Sequence, residues 1–180
     1  RFSPGAPGDA LLVVAELVPH KRVQVALEAA RRARAPIRVV GSGPEHSSLQ
    51  RSYPEAEFLG RIEHEQLVEL YASARAVVVP SPEEFGMVAV EAQAAGRPVV
   101  AAAYGGALET VLDGETGRLA ALDDVDAFAR AIERLPELDF DAARAVANAE
   151  RFSVEVFQRR IADLVGTVTD DREGLRAARR

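Results

Sequence analysis

Two glutamates bracket the most unusual stretch of the chain. Glu83 and Glu91 stand eight positions apart in Pro80-Ser81-Pro82-Glu83-Glu84-Phe85-Gly86-Met87-Val88-Ala89-Val90-Glu91-Ala92. Apolar residues after Gly86 predict a helix over 86–95, closed by Gly96, a residue suited to the left-handed C-terminal position. Glu83 then lies in the loop and Glu91 in the second helical turn. Helical Cβ vectors lean toward the N-terminus, so Glu91 can point back to the mouth that Glu83 borders. Between them, the N–H groups around Gly86, Met87 and Val88 have no intrahelical partner. A bare helix N-terminus attracts anions, phosphate above all. Carboxylates repel phosphate but accept hydrogen bonds from sugar hydroxyls. A phosphorylated sugar or a nucleotide sugar satisfies both. The plainer reading is that Glu83 and Glu84 favour the helix dipole and Glu91 is a surface residue.

Three more loops have unusual composition. In Pro19-His20-Lys21-Arg22 two cations open a helix, against its dipole. An anion held between them would offset that cost; two solvated cations explain the loop equally well. Val40-Gly41-Ser42-Gly43-Pro44 holds two glycines that let backbone approach a ligand. It lacks the third glycine of a dinucleotide fingerprint and the Gly-Lys-Ser/Thr ending of a P-loop, so neither NAD binding nor ATP hydrolysis is indicated. Taken alone, it reads as a tight strand–helix turn. Tyr104-Gly105-Gly106-Ala107-Leu108-Glu109 opens a short helix, and Asp113-Gly114-Glu115-Thr116-Gly117 reads as a turn.

The elements that must position these loops follow from hydrophobic pattern. Short apolar or β-branched runs predict strands at Ala10–Leu17, Ile37–Val40, Ala76–Val79, Pro98–Ala102 and Thr116–Ala120, with a weaker one at Glu57–Leu59. Helical spacing predicts helices at Lys21–Arg34, Glu45–Ser52, Glu63–Ser73, Gly86–Ala95, Ala107–Leu112, Asp124–Leu135, Asp141–Glu150 and Val154–Val165, the last capped by Ser153. This alternation calls for an α/β domain, a doubly wound Rossmann-like parallel sheet with helices on both faces. Ligands in such folds bind beyond the C-terminal ends of the strands, where these loops lie. Residues 1–9 read as a linker, 10–168 as the domain and 169–180 as a flexible charged tail. Arg172, Arg176, Arg179 and Arg180 in that tail read as a solvated end. The linker-like opening suggests a domain cut from something longer.

Composition narrows the chemistry. The 180 residues carry a net charge of −6, which argues against general nucleic-acid or anionic-membrane binding. Cysteine is absent, so disulfides, thiolate metal sites and thiol nucleophiles are excluded. Three scattered histidines, His20, His46 and His64, leave little for a histidine metal site. The longest apolar runs are too short to span a bilayer, and no signal-peptide pattern is visible.

PSPEEFGMVAVEAQAAGRPVVA followed by YGGALETVLDGETGRLA resembles the retaining glycosyltransferases of group one, also called family four. VPHKR and VVGSGPE fit the same pattern, and the resemblance covers about residues 1–165. It implies the C-terminal, donor-binding half of a two-domain GT-B fold, with an N-terminal acceptor half outside this chain. It further implies that Lys21 binds the donor diphosphate and Glu83 holds hydroxyls of the transferred sugar. Phe85, Gly86, Met87 and Val88 would present backbone groups to sugar and phosphates, and Glu91 would hold the ribose. Gly41, Gly43, Arg61 and Ile62 would lie near the base. Glu109 is given no role. Where the family often has Gly-Arg-Leu, this chain has Ala15-Glu16-Leu17, which reverses a charge beside the diphosphate. Arg22 substitutes, or phosphate binding is weaker, or Glu16 faces elsewhere.

The implied reaction moves a hexose from a nucleotide diphosphate donor to a hydroxyl, keeping anomeric configuration, without a metal or other cofactor. The PHKR loop leans toward GDP-mannose, with UDP-sugars close behind. A cytoplasmic setting is expected, with no contact to nucleic acid or membrane from this domain. Two other readings stay open: a nucleotide-sugar-binding module without catalysis, and a GT-B nucleotide-sugar epimerase.

Overall fold

The computed structural model describes residues 2–177, with side chains from 2 to 167. Six strands form one sheet: β1 (Leu11–Val14), β2 (Ile37–Val40), β3 (Glu57–Gly60), β4 (Ala76–Val79), β5 (Val99–Ala102) and β6 (Gly117–Ala120). The spatial order is β3-β2-β1-β4-β5-β6, and every pairing is parallel. The helices are α1 (Val23–Arg32), α2 (His46–Ser52), α3 (His64–Ser73), α4 (Met87–Ala94), α5 (Ala107–Thr110), α6 (Val125–Glu133), α7 (Ala142–Glu150) and α8 (Val154–Ala177). The doubly wound expectation holds.

Side chains alternate across a strand, and here both faces are covered. Leu11 and Val13 of β1 join Val39, Val78 and Val100 in a core with Leu27 of α1 and Phe128 and Ile132 of α6. Leu12 joins Val77, Val79, Val99 and Ala101 in a second core with Tyr71 of α3 and Ala89 and Ala92 of α4. That is why β4 reads Ala-Val-Val-Val: all four residues are buried. β3 lies on an edge with Glu57 exposed, which explains its weaker sequence signal.

The strand order reverses direction between β1 and β4. The first crossovers run outward from β1 to β2 and β3, and the next return to its other side through β4. The loops after β1 and β4 therefore diverge to opposite faces and leave a crevice at the C-terminal edge of the sheet.

The compact units are residues 1–149 and 150–180. In the first, segment 2–9 is irregular, as its prolines and glycines predict, but it is tied down. Phe2 packs edge-on to Tyr71 at 5.0 Å, the Gly8 N–H donates to the Ser73 carbonyl at 2.8 Å, and Arg97 donates to the Gly5 carbonyl at 2.7 Å. In the second, Ser153 caps α8 by accepting from the Val156 N–H at 3.3 Å. The helix runs on to Ala177, past the expected end at Val165. No proline interrupts residues 166–177, so the pattern has no stop there. Side chains from 168 on, and residues 178–180 altogether, lie outside the described residues, so the solvated-end reading of Arg172, Arg176, Arg179 and Arg180 does too.

Candidate functional site

The β1 and β4 loops meet across the crevice. After β1 the chain makes a short 3-10 turn over Pro19–Lys21 and enters α1 through Arg22, whose φ of 51° is left-handed. That turn delivers Lys21 over the β4 loop. Its Nζ donates to both carboxylate oxygens of Glu83, at 2.8 and 3.0 Å. Ser81 donates to the same carboxylate at 2.6 Å. The pair is half-buried, with side chains 27% and 21% exposed. A cation and an anion far apart in sequence are thus joined where the topology opens its crevice.

The glycine pair after β5 supports Glu83 from below. The Gly106 N–H donates to the Glu83 carbonyl at 2.7 Å. A Cβ on Gly105 would lie 2.3 Å from that same carbonyl oxygen, and one on Gly106 would lie 2.3 Å from the carbonyl oxygen of Phe85. Gly105 also has φ of 56°. Any side chain here lifts the 83–85 loop off its support.

Gly86 enters α4 with φ of 82° and no side-chain cap. The first helical bonds are donated by Ala89 and Val90 to the Gly86 carbonyl. Among the described residues the N–H groups of Met87 and Val88 donate to no carbonyl or side chain, as the sequence predicts. Phe85 and Met87 are exposed on either side of Gly86. Glu91, one turn further, is half-buried, and its Oε2 accepts from the Tyr71 hydroxyl at 2.8 Å. Burial and the neighbouring Glu91 charge push the Tyr71 phenol far up, so it remains a donor. Glu91 and Glu83 thus sit on one loop–helix unit but are held by different partners.

Arg22 does not join Lys21 on Glu83. Its Nε pairs with Asp123 Oδ1 at 2.9 Å, and its Nη1 is buried without a hydrogen-bond partner. Asp123 follows β6 and is also left-handed, with φ of 62°. Glu16 is exposed and makes no ion pair among the described residues.

The Gly41–Gly43 loop and Arg61 come together: Arg61 Nε donates to the Ser42 hydroxyl at 2.8 Å. Ile62 packs against the second core. The glycines themselves have a structural cause. A Cβ on Gly41 would lie 1.8 Å from the Ala15 carbonyl oxygen, and one on Gly43 would lie 2.3 Å from that of Leu17. Glu45, just after this loop, holds a buried Oε2 without a partner.

Sequence reasoning missed Tyr71 and Asp123 as polar partners, and the buried, unpartnered Glu45 oxygen. Tyr71 carries only a core-position signal, and nothing local links Asp123 to Arg22. Asp124 caps α6 at the Ala127 N–H and Asp126 pairs with Arg32. No cluster of three or more metal-ligating side chains exists among the described residues, and no described helix is long and apolar enough to cross a membrane.

Comparisons with known proteins identify what the chain is similar to. The chain is 40% identical over 152 residues to the D-inositol 3-phosphate glycosyltransferase of Frankia alni, covering 71% of this chain and 37% of that protein. It is 34% identical to D-inositol 3-phosphate glycosyltransferase 2 of Catenulispora acidiphila, covering 98% of this chain and 48% of that one. The chain therefore spans less than half the length of these relatives. Among solved structures, Anabaena HepE in complex with UDP and glucose superposes with a TM-score of 0.76 at 27% identity, covering 89% of this chain and 48% of that one. The family model for glycosyl transferases group 1 matches residues 8–137, a span that holds both crevice loops, and the chain belongs to that family.

Proposed function

We propose that this chain is the donor-binding half of a retaining glycosyltransferase that moves a hexose from a nucleoside diphosphate sugar to a hydroxyl acceptor. The observation that carries the reading is the Lys21–Glu83 pair in the β1/β4 crevice, beside the bare N–H groups of Met87 and Val88. One group is cationic and one anionic, so an incoming ligand that is anionic at one end and rich in hydroxyls at the other exchanges partners with both. The diphosphate takes Lys21 and the α4 amides; the sugar hydroxyls donate to Glu83. Arg22, steered by Asp123, adds its spare Nη1 to the diphosphate side and offsets the charge of Glu16. Glu91, aligned by Tyr71, receives the ribose hydroxyls. The base lies toward Gly41, Gly43, Arg61 and Ile62.

In the reaction the bond between the anomeric carbon and the diphosphate breaks, and the diphosphate leaves with the electron pair. The acceptor hydroxyl passes its proton to the departing diphosphate as the new bond forms. Lys21 and the α4 amides stabilise the charge that grows on the leaving group, a preorganised electrostatic effect. Glu83 orients the sugar and is not the nucleophile. We assign no divalent ion to the step.

For the donor base, the HepE complexes with UDP and with UDP-glucose favour uridine over guanosine, and we give UDP-hexose priority over GDP-mannose. Donor consumption by the whole protein carrying this chain tests the proposal. Transfer from UDP-glucose or another UDP-hexose to a hydroxyl acceptor, unchanged by EDTA, is expected. Conversion of the donor without any acceptor would instead mark an epimerase.

A further inference from the structure

Three arginines converge on the outer edge of the sheet, away from the crevice. They line a hollow of about 260 Å³ between β6 and α6, with Asp113, Ala127 and Ala131. Arg118 lies on β6 and shares the α6-facing side of that strand with Ala120, which belongs to the first core. Arg130 and Arg134 come from the last turn and C-cap of α6.

The charges there are not balanced. Arg118 Nε is buried without a hydrogen-bond partner, and Arg118 and Arg130 make no ion pair among the described residues. Arg134 is paired through Nε to Glu137 at 2.8 Å. Asp113 is the one acidic lining residue, and its Oδ1 already accepts from the Leu119 N–H at 2.9 Å. The dipole at the α6 C-terminus accounts for Arg130 and Arg134. It does not account for Arg118, which sits on a strand with a donor sealed beneath the helix. Buried polar groups normally find partners, and like charges gathered in a hollow repel.

We infer that this hollow is a second anion site, distinct from the donor crevice, that takes the phosphoryl group of a small phosphomonoester. Guanidinium forks match tetrahedral oxyanions, and two or three of them converging is the usual arrangement for phosphate recognition. The volume lies below the roughly 300–1,000 Å³ of pockets for drug-sized ligands, so it suits a phosphoryl group on a small body and not a second nucleotide sugar. A free metabolite and a lipid headgroup share this chemistry.

The test is an amide-resolved NMR titration of the 180-residue chain with inorganic phosphate, with glucose 6-phosphate, and with phosphatidylcholine vesicles containing phosphatidic acid. Saturable shifts at residues 118–121 and 127–134 are expected, persisting when UDP fills the crevice. Arg130 is exposed, so Arg130→Gln leaves the fold intact and weakens phosphate about tenfold, the loss of one charge-assisted contact. Arg118→Lys, which keeps the charge but loses the fork, weakens it as well. Response to the soluble phosphates alone assigns a metabolite site, and response to the vesicles as well assigns a headgroup site. The inference is overturned if no ligand gives saturable shifts, if the shifts fall on Lys21, Gly86 and Val88, or if both variants bind phosphate as the wild type does.

Discussion

The crevice between β1 and β4 and the hollow beside β6 are both lined by charge, and they handle it in opposite ways. In the crevice, Lys21 and Ser81 both donate to Glu83, and Tyr71 donates to Glu91. Beside β6, the one acidic lining residue, Asp113, is already engaged, and of the three arginines Arg134 alone is paired among the described residues, with Glu137. On the proposed reading, the crevice keeps its unlike charges paired until a ligand with two unlike ends replaces each partner. The hollow proposed for a plain anion leaves Arg118 and Arg130 without an ion pair among the described residues. The topology adds to the contrast. The crevice lies where the strand order reverses, so two divergent loops frame it, whereas β6 is an edge and offers one helix and one strand.

The sharpest way to break the crevice without touching the edge is Gly105→Ala. Its Cβ would lie 2.3 Å from the Glu83 carbonyl oxygen at a left-handed φ. Strain and displacement together should cost about 2–4 kcal/mol of stability, read by denaturant unfolding, and donor binding should fall with it. Phosphate binding at β6 should survive in whatever fraction stays folded. Next in size is Lys21→Ala, which on the proposed reading removes a charge-assisted contact to the diphosphate. The affinity for UDP should drop by about 10–100-fold, measured by calorimetry. Tyr71→Phe should do less. It frees one Glu91 oxygen, and we expect a loss of about fivefold in UDP-sugar affinity, an amount in keeping with one neutral hydrogen bond. Loss should be smaller for the bare diphosphate, which does not meet Glu91.

A third pair shows how little an exposed bridge contributes by comparison. The Arg31 hydrogen bond holds the Glu55 carboxyl below the ordinary value of 4.5. Its stabilisation is therefore present above pH 4.5 and is lost as the pH falls through the lowered folded value. Arg31→Gln should lower the melting temperature slightly at neutral pH and leave it unchanged at low pH, so the acid-induced fall shrinks by that small amount.

The sequence carried the frame of this molecule well because its strands are short, apolar and buried on both faces. Ile37–Val40 and Ala76–Val79 occur as expected, to the residue. The other strand boundaries shift by one to three residues, most at β1, where the apolar run to Leu17 outlasts the strand ending at Val14. Leu17 is fully buried but lies in the loop beside Gly43, so burial, not strand pairing, explains its character. The bare N-terminus of α4 was legible from Gly86 and its neighbours. The partners were not. Lys21 meets Glu83, Arg22 meets Asp123 and Glu91 meets Tyr71 through long-range packing that leaves no local pattern. The roles of Gly41 and Gly43 were legible only in their bland form, and the structure supplies its cause in the carbonyls of Ala15 and Leu17.

The central claim is that the β1/β4 crevice holds an activated sugar by exchanging the Lys21–Glu83 pair for phosphate and hydroxyl contacts. Calorimetric titration of the chain with UDP and UDP-glucose, for the wild type, Lys21→Ala and Glu83→Gln, tests it most directly. The account predicts that Lys21→Ala weakens both ligands, whereas Glu83→Gln weakens UDP-glucose and leaves UDP unchanged or tighter, because Lys21 is then released to the phosphates. Equal affinity of all three proteins for both ligands would contradict it.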